Sequence, residues 1–175
     1  MRLFISINPD NQLKNALSET IANLRGAATR GRYTSWDNLH LTLVFIGESQ
    51  RVDDIIALMH QVVRENVTEP IQITLSGVGI FKNKGGDTHW VGISKSSALV
   101  DLVDKLTKAL TAEGFNIDKR RYLPHITIGQ KIVMPAGSQI LIHPASMQAS
   151  HISLMRSDLS SEGATYTEIA NVPLH

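Results

Sequence analysis

The sequence predicts an α+β fold with two pseudo-symmetric lobes, each an antiparallel β-sheet with helices on its outer face, around a central cleft. Three observations carry this expectation. Stretches with apolar residues at helical spacing interleave with short runs of alternating strand character. No linker or low-complexity tract divides residues 1–175, so a single bilobal domain is expected. One four-residue pattern occurs twice, about half a chain apart, as His40-Leu41-Thr42-Leu43 and His125-Ile126-Thr127-Ile128.

Leu3 to Ile7 reads as a strand. Asn8 is an N-cap candidate with Pro9 at the first helical position. Leu13, Leu17, Ile21 and Leu24 follow on one helical face, and Gly26 stops the helix. Residues 27–34 are a polar connection. Leu39 to Ile46 is the first motif strand, ended by Gly47. A second helix runs from Asp53 to Arg64 on the stripe Ile55, Met59 and Val62, leaving His60 outside the stripe. Ile71, Ile73 and Leu75 alternate as in a half-buried strand. A hairpin-like loop from Phe81 to Thr88 leads to a returning strand, Trp90 to Ile93.

The third helix is capped at Ser96 or Ser97, buries Leu99, Leu102, Val103, Leu106 and Leu110, and ends at Gly114. The second motif strand covers His125 to Lys131. Val133 to Pro144, with scattered Pro and Gly, is irregular or an edge. Ile152 to Arg156 and Thr165 to Ile169 form a closing hairpin around Ser160-Ser161-Glu162-Gly163.

On a strand, alternate side chains share a face, so each motif puts a His and a Thr on one face and two aliphatic residues on the other. One match arises by accident in about one such chain in ten; two arise in only about a few per thousand. A histidine can move a proton near neutral pH, and a threonine hydroxyl can donate to an oxyanion. Two such pairs facing one cleft supply an acid, a base and two anion-binding donors. The spacing does not say which histidine is which. The alternative for the threonines is ordinary β-branched strand filling.

Apolar residues make up 42% of the chain and charged residues 19%, as in an ordinary globular protein. With no cysteine there is no disulfide, thiolate metal site or cysteine nucleophile. No apolar run reaches bilayer length and no signal-peptide core follows Met1, so a cytoplasmic monomer is expected. A net charge of +1 argues against a duplex-coating protein. Basic residues nevertheless gather beside the motifs: Arg25, Arg30 and Arg32 before the first, and Lys119, Arg120 and Arg121 before the second. Lys82 and Lys84 lie in a Gly-rich loop. Together they favour an anionic substrate over solvated loop charge. No cofactor is needed, and no close His pair or His-carboxylate spacing suggests a metal.

His151-Ile152-Ser153-Leu154 is a weaker third copy, read as an ordinary strand segment. His89 either borders the cleft or ends a strand. Trp36, Phe45 and Tyr122 flank the motifs and could stack on a base. Strict alternation puts Phe45 on the aliphatic face unless the strand bulges.

The paired motifs resemble those of the two-histidine (2H) phosphoesterase superfamily, and within it the RNA 2',3'-cyclic phosphodiesterases, also called 2'-5' RNA ligases (LigT/ThpR type). The likeness extends to Arg2 through Ile7, Asn38 through Gly47, and Tyr122 through Ile128. It includes the closing run Leu154-Met155-Arg156-Ser157, Gly163, Tyr166 and Pro173-Leu174. The resemblance implies metal-independent hydrolysis of RNA 2',3'-cyclic phosphate ends, including tRNA fragments, to 2'-phosphomonoesters. It implies His40 as proton donor and His125 as proton acceptor. Thr42 and Thr127 would hold the phosphate oxygens, and reversal would give 2'-5' ligation. Phe45, Arg121, Tyr122 and Gln130 are candidate substrate contacts.

One position departs from the family pattern. Where members often carry an Arg, five residues after the second His, this chain has Gln130, and alternation points Lys131 the other way. A neutral amide holds phosphate less strongly than a guanidinium. Either another cation substitutes, or activity is weaker, or the substrate differs. Two rival readings follow: a phosphodiesterase of small cyclic nucleotides or ADP-ribose cyclic phosphate, and a non-catalytic RNA-end-binding module.

Overall fold

In the computed structural model, which describes residues 1–175, nine strands and three α-helices form two antiparallel sheets. The order is β1 (Arg2–Ile7), α1 (Asn11–Ala27), β2 (Arg30–Tyr33), β3 (Leu41–Glu48), α2 (Val52–Asn66), β4 (Gln72–Phe81) and β5 (Asp87–Ile93). Then come α3 (Ser97–Ala112), β6 (His125–Val133), β7 (Ser146–Gln148), β8 (His151–Ser160) and β9 (Gly163–Pro173). The first sheet runs β3-β1-β8-β9 and the second β2-β6-β5-β4-β7. The first motif therefore enters one sheet and the second motif the other.

The lobes are not the two halves of the sequence. The first sheet takes strands from both ends of the chain. Helix α1 follows β1 but packs on β2, β6 and β7 of the second sheet. Helices α2 and α3 pack together and cover β9 and β3 of the first. This crossing threads each lobe through the other. Buried apolar residues from both sheets and all three helices make one contiguous core of 37 side chains. No helix is long and apolar enough to cross a membrane.

Most elements lie where periodicity puts them. Leu13, Leu17, Ile21 and Leu24 of α1 are buried, as are Leu99, Leu102, Val103, Leu106 and Leu110 of α3. Ser96 caps α3 by accepting from the Leu99 amide at 3.2 Å. Gly114 closes it at φ 92°, a left-handed conformation that suits glycine.

Two readings are corrected. The cap of α1 is Asp10, which accepts from the Leu13 amide at 2.8 Å, not Asn8. Asn8 is drawn to the sheet instead, where its Oδ1 accepts from Ser6 Oγ at 2.8 Å. Residues 30–33, read as connection, form β2 and pair with β6. The sequence Arg-Gly-Arg-Tyr lacks an apolar face, so only the neighbouring strand reveals it. Residues 134–144 form no strand or helix, in line with the irregular reading, and β7 follows them, paired to β4 from Gln72↔Gln148 to Thr74↔Ser146.

Candidate active site

Each motif opens a strand. His40 directly precedes β3 and His125 begins β6. Leu41, Leu43, Ile126 and Ile128 are buried in the core. His40, Thr42, His125 and Thr127 are only half-buried, so alternation turns the polar pairs outward as expected.

The two histidines are held in the same way. Nδ1 of His40 lies 2.7 Å from the Asn38 carbonyl, and Nδ1 of His125 lies 2.6 Å from the Leu123 carbonyl. A carbonyl can only accept, so each Nδ1 carries the proton and donates. In the neutral imidazole this leaves each Nε2 as a free acceptor.

Aromatic walls fix the rings on both sides. Phe4 and Tyr166 lie 5.0 and 4.9 Å from the His40 ring, Tyr166 edge-on. Phe81 and Trp90 lie 5.3 and 5.5 Å from the His125 ring. None of these four is among the site residues expected from sequence, although Tyr166 belongs to the closing run that carries the family likeness. Phe4 and Tyr166 reach His40 only through β1 and β9, distant in the chain, and no local signal marks them.

The lobes meet at the motifs. Tyr122, three residues before His125, donates its hydroxyl to the Thr42 carbonyl at 2.7 Å. Burial pushes the Tyr122 phenol above the usual tyrosine range, so it stays a donor throughout the working pH range. Burial holds the His40 pKa below 6.5; its Nδ1 bond to Asn38 opposes this, and the charge of His125 adds to it. Changing Tyr122→Phe removes the bond across the lobes and leaves the Thr42 carbonyl without that donor. We expect a loss of about 1 kcal/mol, read as a melting temperature lower by roughly 2–4 °C. An unchanged melting temperature would show that the bond does not hold the motifs together.

A cleft of about 1210 Å³ is bordered by Thr42, Phe45, Phe81, Arg121, Tyr122 and His125, while His40 and Thr127 do not line it. A much smaller cavity of about 160 Å³, between Asn66–Ile71 and Ser97–Leu102, lies away from the histidines.

A family model described as the 2'-5' RNA ligase superfamily matches residues 13–160. The chain belongs to this superfamily. It is 28% identical over 180 residues to an RNA 2',3'-cyclic phosphodiesterase of Methanothermobacter thermautotrophicus, covering 97% of this chain and 96% of that protein. It is 29% identical over 174 residues to the protein of the same name from Thermotoga maritima, covering 95% and 91%. Among solved structures, TT0787 of Thermus thermophilus matches with a TM-score of 0.85 at 24% identity, covering 99% and 98%. E. coli LigT complexed with 3'-AMP matches with 0.81 at 22% identity, covering 98% and 97%. The structural matches establish the α+β fold of two antiparallel sheets.

Within this superfamily member, the remaining candidates divide. Phe45 is 46% exposed and faces the cleft. The strand does bulge: Ser6 pairs with Thr42 and Ile5 with Val44, leaving Leu43 unpaired. The extra residue returns Phe45 to the face of Thr42, and the Arg2 guanidinium lies 5.0 Å over its ring. Arg121 is exposed on the cleft rim. Gln130 is exposed, and Lys131 beside it is exposed too. Alternation fails here because Gln130 and Lys131 together oppose Thr88 between the pairs Gly129↔His89 and Ile132↔Asp87. Lys131 takes φ 53°, the left-handed region.

Other histidines stand apart. His151 Nδ1 is 2.8 Å from Ser150 Oγ, and its Nε2 is 3.8 Å from Glu168. Ser153 Oγ donates to the same carboxylate at 2.6 Å, so the third motif copy is spent in a polar network of β8 and β9. His89 is buried on the face of β5 shared with Val91 and Ile93, opposite Trp90. His60 is exposed, and His143 pairs with Glu19 at 2.9 Å. Trp36 sits under Lys14 rather than against the histidines. No three His, Asp or Glu side chains converge as a metal site would require.

Proposed function

We propose that this chain hydrolyses RNA ends bearing 2',3'-cyclic phosphate to 2'-phosphomonoesters, using one imidazole as acid and the other as base. The observation that carries this reading is the matched pair of Nδ1–H bonds, at 2.7 and 2.6 Å, which leaves both Nε2 atoms free for proton transfer. The names of relatives aligned over nearly the whole chain support the same substrate class.

In this scheme His125 Nε2 takes a proton from water as its oxygen attacks phosphorus. The bond from phosphorus to the 3'-oxygen breaks, and protonated His40 gives its Nε2 proton to that leaving oxygen. Two protons move and the net charge on the histidine pair is unchanged. Thr42 and Thr127 hydroxyls donate to the non-bridging oxygens as their charge grows. Phe45 and Arg121 contact the nucleotide, Tyr122 holds the Thr42 backbone in place, and Gln130 supplies a neutral amide. No step needs a metal or cofactor. With a 5'-hydroxyl in place of water as the nucleophile, the same proton carriers in the same roles form a 2'-5' linkage as the bond to the 3'-oxygen breaks. A single bilobal unit suffices, because both motifs come from one chain.

The test is an EDTA-treated assay on an oligonucleotide ending in 2',3'-cyclic phosphate, with the product end group identified. We expect undiminished turnover and a 2'-phosphomonoester; loss of activity in EDTA, or a 3'-phosphomonoester, sinks the scheme. The same assay across pH should give a bell. As donor, His40 must be protonated, so its contribution to kcat/KM falls as pH rises through a pKa held below 6.5. Bound phosphate favours the imidazolium, so the same limb in kcat lies at higher pH.

A further inference from the structure

We infer that Arg32 of β2 is a further phosphate-binding residue, its guanidinium taking the non-bridging oxygen beside Thr127 and supplying a cation that neutral Gln130 does not. The inference rests on the reading under Proposed function and adds a residue from a strand that carries neither motif.

Register fixes which way Arg32 points. Arg32 pairs with Gln130, and its neighbour Tyr33 pairs with Gly129. A Cβ on Gly31 would strike Cδ1 of Ile132, a buried side chain, so Gly31 faces the core. Tyr33 also packs on the core, with the Arg25 guanidinium of α1 4.7 Å from its ring centroid. Arg32 lies between these two and, by alternation, on the other face.

The same face of β6 carries the motif. Ile126 and Ile128 are fully buried, so His125 and Thr127 face away from the core. Beyond Thr127 the two-residue period breaks. Ile128 is the extra residue between the pairs Trp90↔Thr127 and His89↔Gly129. Gly129 therefore joins Ile128 on the core side, where a Cβ would lie 2.9 Å from Ile132 Cδ1. Gln130 is returned to the face of Thr127, and Arg32 stands directly across from it. Diagonal neighbours across two strands lie about 7–8 Å apart, within reach of a long side chain. Arg32 and Thr127 stand in that relation.

Arg32 is also unengaged. It is exposed and forms no ion pair, whereas Arg51, Arg120 and Arg156 each hold a carboxylate. Arg30, two residues before it on the same face, is turned to the Gly85 carbonyl at 3.5 Å. Thr34 Oγ1 donates to the Thr127 carbonyl at 3.1 Å, which ties the end of β2 to the motif. The side-chain donors proposed for the phosphate oxygens, Thr42 and Thr127, are neutral, as is Gln130. A phosphate whose charge grows toward the transition state gains more from a guanidinium, which offers two parallel bonds to two oxygens.

The experiment measures kcat/KM on an oligonucleotide ending in 2',3'-cyclic phosphate. Arg32→Gln should lower it by about 10- to 100-fold, the worth of a hydrogen bond to a charged group. The melting temperature should stay within a few degrees, because the side chain is exposed. Arg30→Gln should change kcat/KM by less than about twofold, since salt screens a charge that makes no contact. Gln130→Arg should raise kcat/KM more in the Arg32→Gln background than in the wild type, because it returns a guanidinium to the same face from the neighbouring strand. A loss below about tenfold in Arg32→Gln overturns the assignment. So do equal losses in Arg30→Gln and Arg32→Gln, or equal gains from Gln130→Arg in both backgrounds. If the wild type turns nothing over, the proposed function fails instead, and inorganic phosphate becomes the probe. Titration calorimetry should then give about tenfold weaker phosphate binding in Arg32→Gln than in the wild type. Equal or unmeasurable affinity in both overturns the assignment.

Discussion

His40→Ala and His125→Ala should each lower kcat on a cyclic-phosphate oligonucleotide by about 10²–10⁴-fold, the usual contribution of a positioned proton carrier. The physical reason is the symmetry of the site. Each ring is oriented by one Nδ1–H bond and two aromatic walls, and each presents one Nε2. Neither histidine has a neighbour that could take over, because the other histidines lie in separate networks, on the surface or, for His89, buried on the face of β5 opposite Trp90. The double variant should lose little more than the worse single one, since an acid without its base accomplishes only half the transfer. Both rings are half-buried rather than core, so melting temperatures should stay within a few degrees. A loss below tenfold in either variant, with the fold intact, would remove that histidine from the chemistry.

How much of this was readable without coordinates follows from the range of the forces involved. The motif strands and the helix faces were readable because their signals repeat within a few residues. The buried stripe of α3 needs no partner to be seen. Strand β2 was not readable, because Arg-Gly-Arg-Tyr becomes a strand only when β6 supplies its hydrogen-bond partners. Phe45 shows the middle case. Alternation assigns it to the core, and only the mismatch between β1 and β3, which strands Leu43 as an extra residue, turns it to the cleft. The same happens at Gln130 and Lys131, where a bulge defeats the two-residue period. The His–Thr pairs were visible, but their aromatic walls were not. Phe4 and Tyr166 are far apart in the chain, yet their rings lie 5.3 Å apart. Bulges and walls are properties of pairs of strands, and a single sequence records strands one at a time.

Gly79→Ala should be among the most damaging single-methyl changes in this protein, although Gly79 touches no histidine. Gly79 pairs across the strands with Trp90, and a Cβ there would overlap Cζ2, Cη2 and Cε2 of the indole. The ring lies flat on the sheet because glycine leaves room for it. It cannot simply slide aside. Phe81 lies 5.2 Å from its centroid and His125 5.5 Å, and Gly92 lies along its Cζ3 edge. Displacement therefore goes into the wall of the proposed base. Overpacking of this kind costs about 1–3 kcal/mol, a melting temperature lower by roughly 2–12 °C. A ring shift of about 1 Å at His125 should also lower kcat by tenfold to about 10²-fold. Pairing Gly79→Ala with Trp90→Phe shrinks the ring that the methyl group strikes. The double variant should melt above Gly79→Ala alone, a non-additive recovery expected only for residues in contact. If Gly79→Ala left both melting temperature and kcat unchanged, the indole would be free to move and would not be a wall of His125.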